Sequence, residues 1–183
     1  MGTLGIFGQG FGDDFNWQVN SGSTPTGRTG PSGAAEGSFY AYAEATGNTP
    51  SKRAILVGCF DFTGLTGPQI SFAYNMYGSN IGSLSIEVMD VNSGQSSVVW
   101  TETGNKGAFW QTATANLGAF AGKNVELSFI SQTGQGGSDR ADIAIDDLLV
   151  EVGAACDPPV LSISSENASC SDTNDGSATV TAT

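Results

Sequence analysis

A chain of 183 residues with 18 acids, six bases and no histidine carries a formal net charge of -12. That balance opposes phosphate backbones and anionic lipid, and the missing imidazole removes Ser-His-Asp and Cys-His catalysis, a histidine general base and histidine-ligated zinc. Twenty-six glycines and a charged fraction of 13% suit many short strands joined by tight turns rather than long helices.

The opening segment MGTLGIFGQGF has neither the basic start nor the apolar stretch of a signal peptide, and no later run approaches the length of a membrane span. An export signal is therefore expected outside this chain. GDDFNW follows with an acidic doublet, Asp13 and Asp14. The next strand signal is GSFYAYAEA (37–45), where Tyr40 and Tyr42 share a face with Glu44. RAILVG (53–58) and QISFAYNMY (69–77) come next, and the second puts Tyr77 on one face with Asn75. Mixed polar and aromatic faces can stack a sugar or a peptide, and the competing role for each ring is core packing.

Strict alternation sets in at SLSIEVMD (83–90), where Leu84, Ile86 and Val88 point one way and Ser85, Glu87 and Met89 the other. SVVWTE (97–102), FWQTATANL (109–117) and NVELSFI (124–130) continue the pattern, separated by NSGQ, GNKG, AGKN and GQGG. With the opening segment and the final acid-rich run, the count reaches about ten strands. The predicted architecture is all-β, a two-sheet antiparallel jelly-roll sandwich, with a short extended tail after CDPP (156–159), where two prolines cannot continue a ladder. The expected division is a sandwich over 1–154 and a linker with a partial repeat over 155–183. In the tail, VLSISS and GSATVTAT read as two further strands flanking SDTNDG.

The run RADIAIDDLLVEV (140–152) poses a problem of charge. Asp142, Asp146, Asp147 and Glu151 are set among aliphatic residues that occupy both faces of a strand, and an unpaired carboxylate taken out of water is strongly penalised. Arg140 is the sole base nearby. One solution is a bound metal, and oxygen-only ligands without histidine favour calcium. The first and last strands of an antiparallel sandwich often pair, which would let Asp13 and Asp14 meet Asp146 and Asp147 around such an ion. The other solution is solvation at a sheet edge, or backbone amides holding each acid in a turn.

Other chemistry is thinly supported. Glu87 and Asp90 lie on opposite faces, so no strand presents a ladder of acids for glycoside hydrolysis, and a non-catalytic protein is expected. SDTNDG lacks the acid spacing of an EF-hand loop, and GQGG is not followed by the GK[ST] of a phosphate cradle. Cys59, Cys156 and Cys170 have no zinc-ligand spacing.

DDFNWQVNSGSTPTGRTGPSGAAEGSFYAYAEA, ISFAYNMYGSNIGSLSIEV, GNKGAFWQTATANL and RADIAIDDLLVEV, in this order over roughly residues 3–153, together resemble a MAM domain, the extracellular module of meprin, neuropilin and receptor tyrosine phosphatases. CFDFTGLTGP is closer to MAM modules of secreted bacterial proteins, and the tail resembles the start of a SprB-type repeat of exported bacterial adhesins. The resemblance implies a concanavalin-like jelly roll, extracellular or cell-surface placement and a non-catalytic role in adhesion. It also implies a calcium or sodium ion, with Asp14 and Asp146 as the first ligands and Asp13 and Asp147 behind them. The expected partner is a polysaccharide or other glycan, with Tyr40, Tyr42, Glu44, Asn75 and Tyr77 as contact residues; the alternative is protein or homotypic adhesion. Other domains of the same polypeptide are expected as neighbours, nucleic acid and membrane insertion are not.

Overall fold

The computed structural model describes residues 6–152 and the backbone of two strands, Leu161–Glu166 and Ser177–Ala182. Its architecture follows from the alternation in the sequence. Ten strands run in chain order as β1 (Gly8–Gln9), β2 (Trp17–Asn20), β3 (Tyr40–Ala43), β4 (Arg53–Asp61), β5 (Pro68–Met76), β6 (Ile81–Asp90), β7 (Ser96–Thr103), β8 (Gln111–Asn116), β9 (Asn124–Thr133) and β10 (Ile143–Val152). They form two five-stranded antiparallel sheets, ordered β1-β4-β9-β6-β7 and β2-β3-β10-β5-β8. The fold is thus the expected all-β sandwich. Among the described residues no helix is long and apolar enough to cross a membrane.

The period-two residues meet between the sheets. Leu84, Ile86 and Val88 of β6 and Leu127 and Phe129 of β9 are completely buried, facing Ile70, Phe72 and Met76 of β5 and Ile143 and Ile145 of β10. Phe72 packs edge-on to Trp100 and Phe129, with ring centroids 5.0 and 5.2 Å away, a geometry that suits the ring quadrupoles. Such core positions cost about 2–5 kcal/mol when a large aliphatic is cut to alanine.

The last strand of the sandwich is central in its sheet. β10 lies between β3 and β5, and both of its faces are covered at its start: Ile143 and Ile145 enter the inter-sheet core, while Ala144 packs outward under Tyr40 and Tyr42. The register slips between Asp146 and Leu149, a bulge that leaves Asp147 with a left-handed φ of 49°.

The chain divides into two compact units, Met1–Gly153 and Ala154–Thr183. In the second, β11 (Leu161–Glu166) pairs antiparallel with β12 (Ser177–Ala182). Cys156, Cys170 and SDTNDG lie outside the described residues. Cys59, on β4, is exposed and free.

Candidate metal centre and binding surface

The acidic doublets do not come together. Asp13 accepts the Ile55 amide at 3.1 Å, and Asp14 accepts the Arg53 amide at 2.8 Å and pairs with Lys52 Nζ at 2.9 Å. Both therefore serve the β4 edge of the first sheet, and the Arg53 amide and Lys52 hold the Asp14 carboxyl below its usual range. Asp146 sits in the second sheet. Its Oδ2 accepts the amides of Ala35 and Glu36 at 2.7 and 3.1 Å, and its Oδ1 accepts that of Asp147 at 2.9 Å. Asp147 is exposed on the bulge. Three of the four acids are thus compensated by backbone N–H groups, which stabilise carboxylates strongly, and the expected ion between the doublets has no meeting of ligands to hold it.

The expected sugar face is also closed. Tyr40, Tyr42 and Asn75 are 3%, 4% and 0% exposed, and Glu44 is 9% exposed. Tyr40 stacks edge-on against Trp110, whose Nε1–H donates to Gly33 O at 3.0 Å, while Tyr40 Oη donates to Gly22 O at 2.6 Å. Residues 21–39 are in this way folded over the outer face of β3 and β10. Asn75 donates to Ala108 O at 3.0 Å, and half-buried Tyr77 contributes its carbonyl as an acceptor for Thr29 Oγ1 and the Gly30 amide. None of the four buried residues can stack an external sugar.

What the cover encloses is a pair of carboxyls. Asp142, at the start of β10, is fully buried; its Oδ1 accepts the Ala45 amide at 2.9 Å and its Oδ2 has no partner. Glu44, at the end of β3, accepts the Thr46 amide at 3.1 Å and Thr26 Oγ1 at 3.4 Å through Oε1, and its Oε2 is likewise buried without a partner. Burial pushes the Asp142 carboxyl up to about 6, opposed by the Ala45 amide and Thr24 and reinforced by the neighbouring Glu44. Burial, then the charges of Glu44 and Asp142, push Tyr42 up to about 12.

The surrounding backbone is tightly built. Thr24 Oγ1 donates to Thr29 O at 3.0 Å, and the Asp142 amide donates to Thr29 Oγ1 at 2.9 Å. At Gly78 a Cβ would stand 2.3 Å from Arg140 O and 2.8 Å from Thr29 Oγ1, so only glycine fits there. Among the described residues no cluster of three or more acids or cysteines could hold a metal. A cation at Glu44 and Asp142 would have to complete its shell with hydroxyl and carbonyl oxygens. Two unpartnered buried carboxylate oxygens with threonines beside them suit a hard, oxygen-seeking ion such as calcium.

A second feature is open to solvent. Asp147, Ser71, Thr112 and Thr114 line a polar concavity of about 280 Å³ on the outer surface of β5, β8 and β10. In the same sheet Gln69 Nε2 donates to Glu151 Oε1 at 2.8 Å. The bulge is what sets Asp147 beside these hydroxyls, as bulges re-aim side chains near functional surfaces.

The fold defines a class, the two-sheet antiparallel β-sandwich. The chain belongs to the MAM domain family, meprin/A5/mu, whose model matches residues 2–157. MAM domain-containing glycosylphosphatidylinositol anchor protein 2 of Mus musculus is 32% identical over 171 residues, covering 83% of this chain and 17% of that protein. The chain spans only 15–20% of the length of the curated relatives it matches. Among solved structures, the family 22 carbohydrate-binding module of Clostridium thermocellum Xyn10B superposes with a TM-score of 0.55 at 12% identity, covering 84% of this chain and 90% of that one. The K1 cleaved adhesin domain of Lys-gingipain from Porphyromonas gingivalis gives 0.52 at 17% identity, covering 81% and 90%. At those identities the likeness shows the sandwich fold.

Proposed function

We propose that this domain is a non-catalytic recognition module of a larger extracellular protein, held by calcium at Glu44 and Asp142, with a glycan as its ligand at the shelf of Asp147, Ser71, Thr112 and Thr114. The observation that carries the glycan reading is the left-handed Asp147 on its bulge beside three hydroxyls: a carboxylate and hydroxyls on a rigid sheet match the paired donors and acceptors of a sugar, and backbone strain of this kind collects at functional sites. The solved neighbour from Clostridium thermocellum, described as carbohydrate-binding, supports the same reading. Calcium, when bound, would neutralise the carboxyl pair; the chain's own contribution is to link β3, β10 and the covering segment through Glu44, Asp142 and Thr29. The bacterial surface placement suggested by CFDFTGLTGP and by the tail belongs to this proposal, with sodium as the alternative ion.

The test is a glycan-array screen with the calcium-loaded and the chelated protein, followed by affinity electrophoresis of Asp147→Ala and Thr112→Ala. Retardation by a polysaccharide that both substitutions abolish, with an unchanged melting temperature, is the expected result. Retardation indifferent to both would move the ligand elsewhere. Homotypic adhesion has one observation in its favour: β7 is an eight-residue edge strand with Val98 58% exposed, the kind of edge on which a second strand can add. Self-association that is lost in Val98→Lys would support it.

A further inference from the structure

We propose that the apolar cleft between the two sheets is a second binding site, independent of the glycan shelf, and that it takes a small amphiphile with a hydrocarbon or aromatic body and a protonated amine. The cleft exists because the edge strands are short. β1 contributes two residues, which pair with Leu56 and Val57, so on that side the Gly58–Asp61 stretch of β4 has no neighbouring strand among the described residues. On the opposite sheet β2 contributes four. Between these edges the sandwich stays open over about 580 Å³, within the roughly 300–1,000 Å³ typical of small-molecule sites.

Its walls are apolar. Buried Leu56, Phe62 and Ile145 form the floor, half-buried Phe60 and Leu148 the sides, and Phe39 stands at the mouth, 49% exposed. Apolar surface of this extent in a concave site is the usual mark of a ligand.

The charge at the mouth selects the head group. Among the described residues that line it none is basic, and the acids are Asp61 and Asp146. Asp146 is already engaged by three amides. Asp61 accepts one, from Thr63 at 2.8 Å, is solvent-exposed, and takes part in none of the ion pairs among the described residues. A negative group at the rim of an apolar cavity, in a chain of net charge -12, attracts a cation and repels a carboxylate. The ligand class is therefore an amine and not a fatty acid.

The test uses the full chain in calcium and three probes sharing one body: 4-phenylbutylamine, 4-phenylbutanol and 4-phenylbutanoate. In amide NMR titrations the amine should shift Val19, Phe39 and Leu65 saturably, and bind about fivefold tighter than the carboxylate, the ratio one partly exposed ion pair supplies. Asp61→Asn should bring amine and carboxylate to parity. Leu65→Trp should fill the cleft and abolish all three titrations, with Ala41→Leu as the filling variant if the first does not melt cooperatively. Asp147→Ala should leave every titration unchanged, which separates this site from the shelf. No saturable shift, equal affinity for amine and carboxylate in the unsubstituted chain, or titrations that survive the filling variants would each overturn the proposal. A cleft occupied by the chain's own residues or by a partner's side chain would show the first of these results.

Discussion

Asp142 and Glu44 are acids whose burial is half compensated: each has one oxygen bonded to an amide and one bonded to nothing. Replacing Asp142 by Asn removes the buried charge and keeps the shape. In the chelated protein the Asp142→Asn melting temperature should therefore rise, while the gain on adding calcium should vanish. Glu44→Gln should behave in the same way, and scanning calorimetry with and without calcium reads both. A calcium gain retained in either variant would remove the carboxyl pair from the ion site. The same carboxyl sets a pH dependence. Its folded pKa of about 6 lies above the ordinary 3.8, so the folded chain binds the proton more tightly than the unfolded one. Stability contributed by that proton is present below about pH 4 and is lost as pH rises to about 6, a decline of at most on the order of 3 kcal/mol. Urea midpoints of metal-stripped protein should fall across that window, and calcium should restore them above it. A midpoint that is flat from pH 4 to 6 would contradict the burial of Asp142 in its charged form.

At the scale of elements, the segment 21–39 decides what the second sheet can do. It is held over β3 and β10 by the Trp110–Gly33 and Tyr40–Gly22 hydrogen bonds and by two amides on Asp146. Trp110→Phe keeps a ring against Tyr40 and loses one hydrogen bond, so it should cost about 1 kcal/mol and speed limited proteolysis between residues 21 and 39. Equal cleavage rates in the two proteins would show that Trp110 does not latch the cover. This segment also explains which readings of the sequence succeed. The strands are legible because burial of one sheet face imposes period two: Leu84, Ile86 and Val88 alternate in the sequence and are all fully buried. The cover has no period, being rich in Gly, Ser, Thr and Pro, so its placement over Tyr40 and Tyr42 leaves no mark in their own strand. The amides that satisfy Asp13, Asp14 and Asp146 are invisible to a side-chain reading for the same reason, since every residue but proline offers one. Asp142 and Glu44 lie almost a hundred positions apart and lack the salience of a doublet. The available signal was that Asp142 keeps the parity of Ala144 on a strand covered on both faces.

At the scale of the molecule, the closing strand is a central one. β10 comes last among the ten strands of the sandwich yet lies between β3 and β5, and it supplies Ile143, Ile145, Leu148 and Val150 to the inter-sheet core. A chain ending at 142 would strand β3 and β5 without their shared partner, expose two unpaired edges and lose the whole strand that Asp142 leads into. It should not fold. A chain ending at Gly153 keeps every strand of the first compact unit and both candidate calcium ligands. Its calorimetric transition should stay cooperative, within about 3 °C of the longer chain, the shift expected when under about 1 kcal/mol is lost from a domain of this size, and its calcium gain should be undiminished. If the chain ending at Gly153 melts without cooperativity while the full chain does not, the second unit is part of the sandwich's stability and the division into two folding units is wrong. If it melts cooperatively but loses its calcium gain, the ion depends on residues beyond 153 and not on Glu44 and Asp142 alone.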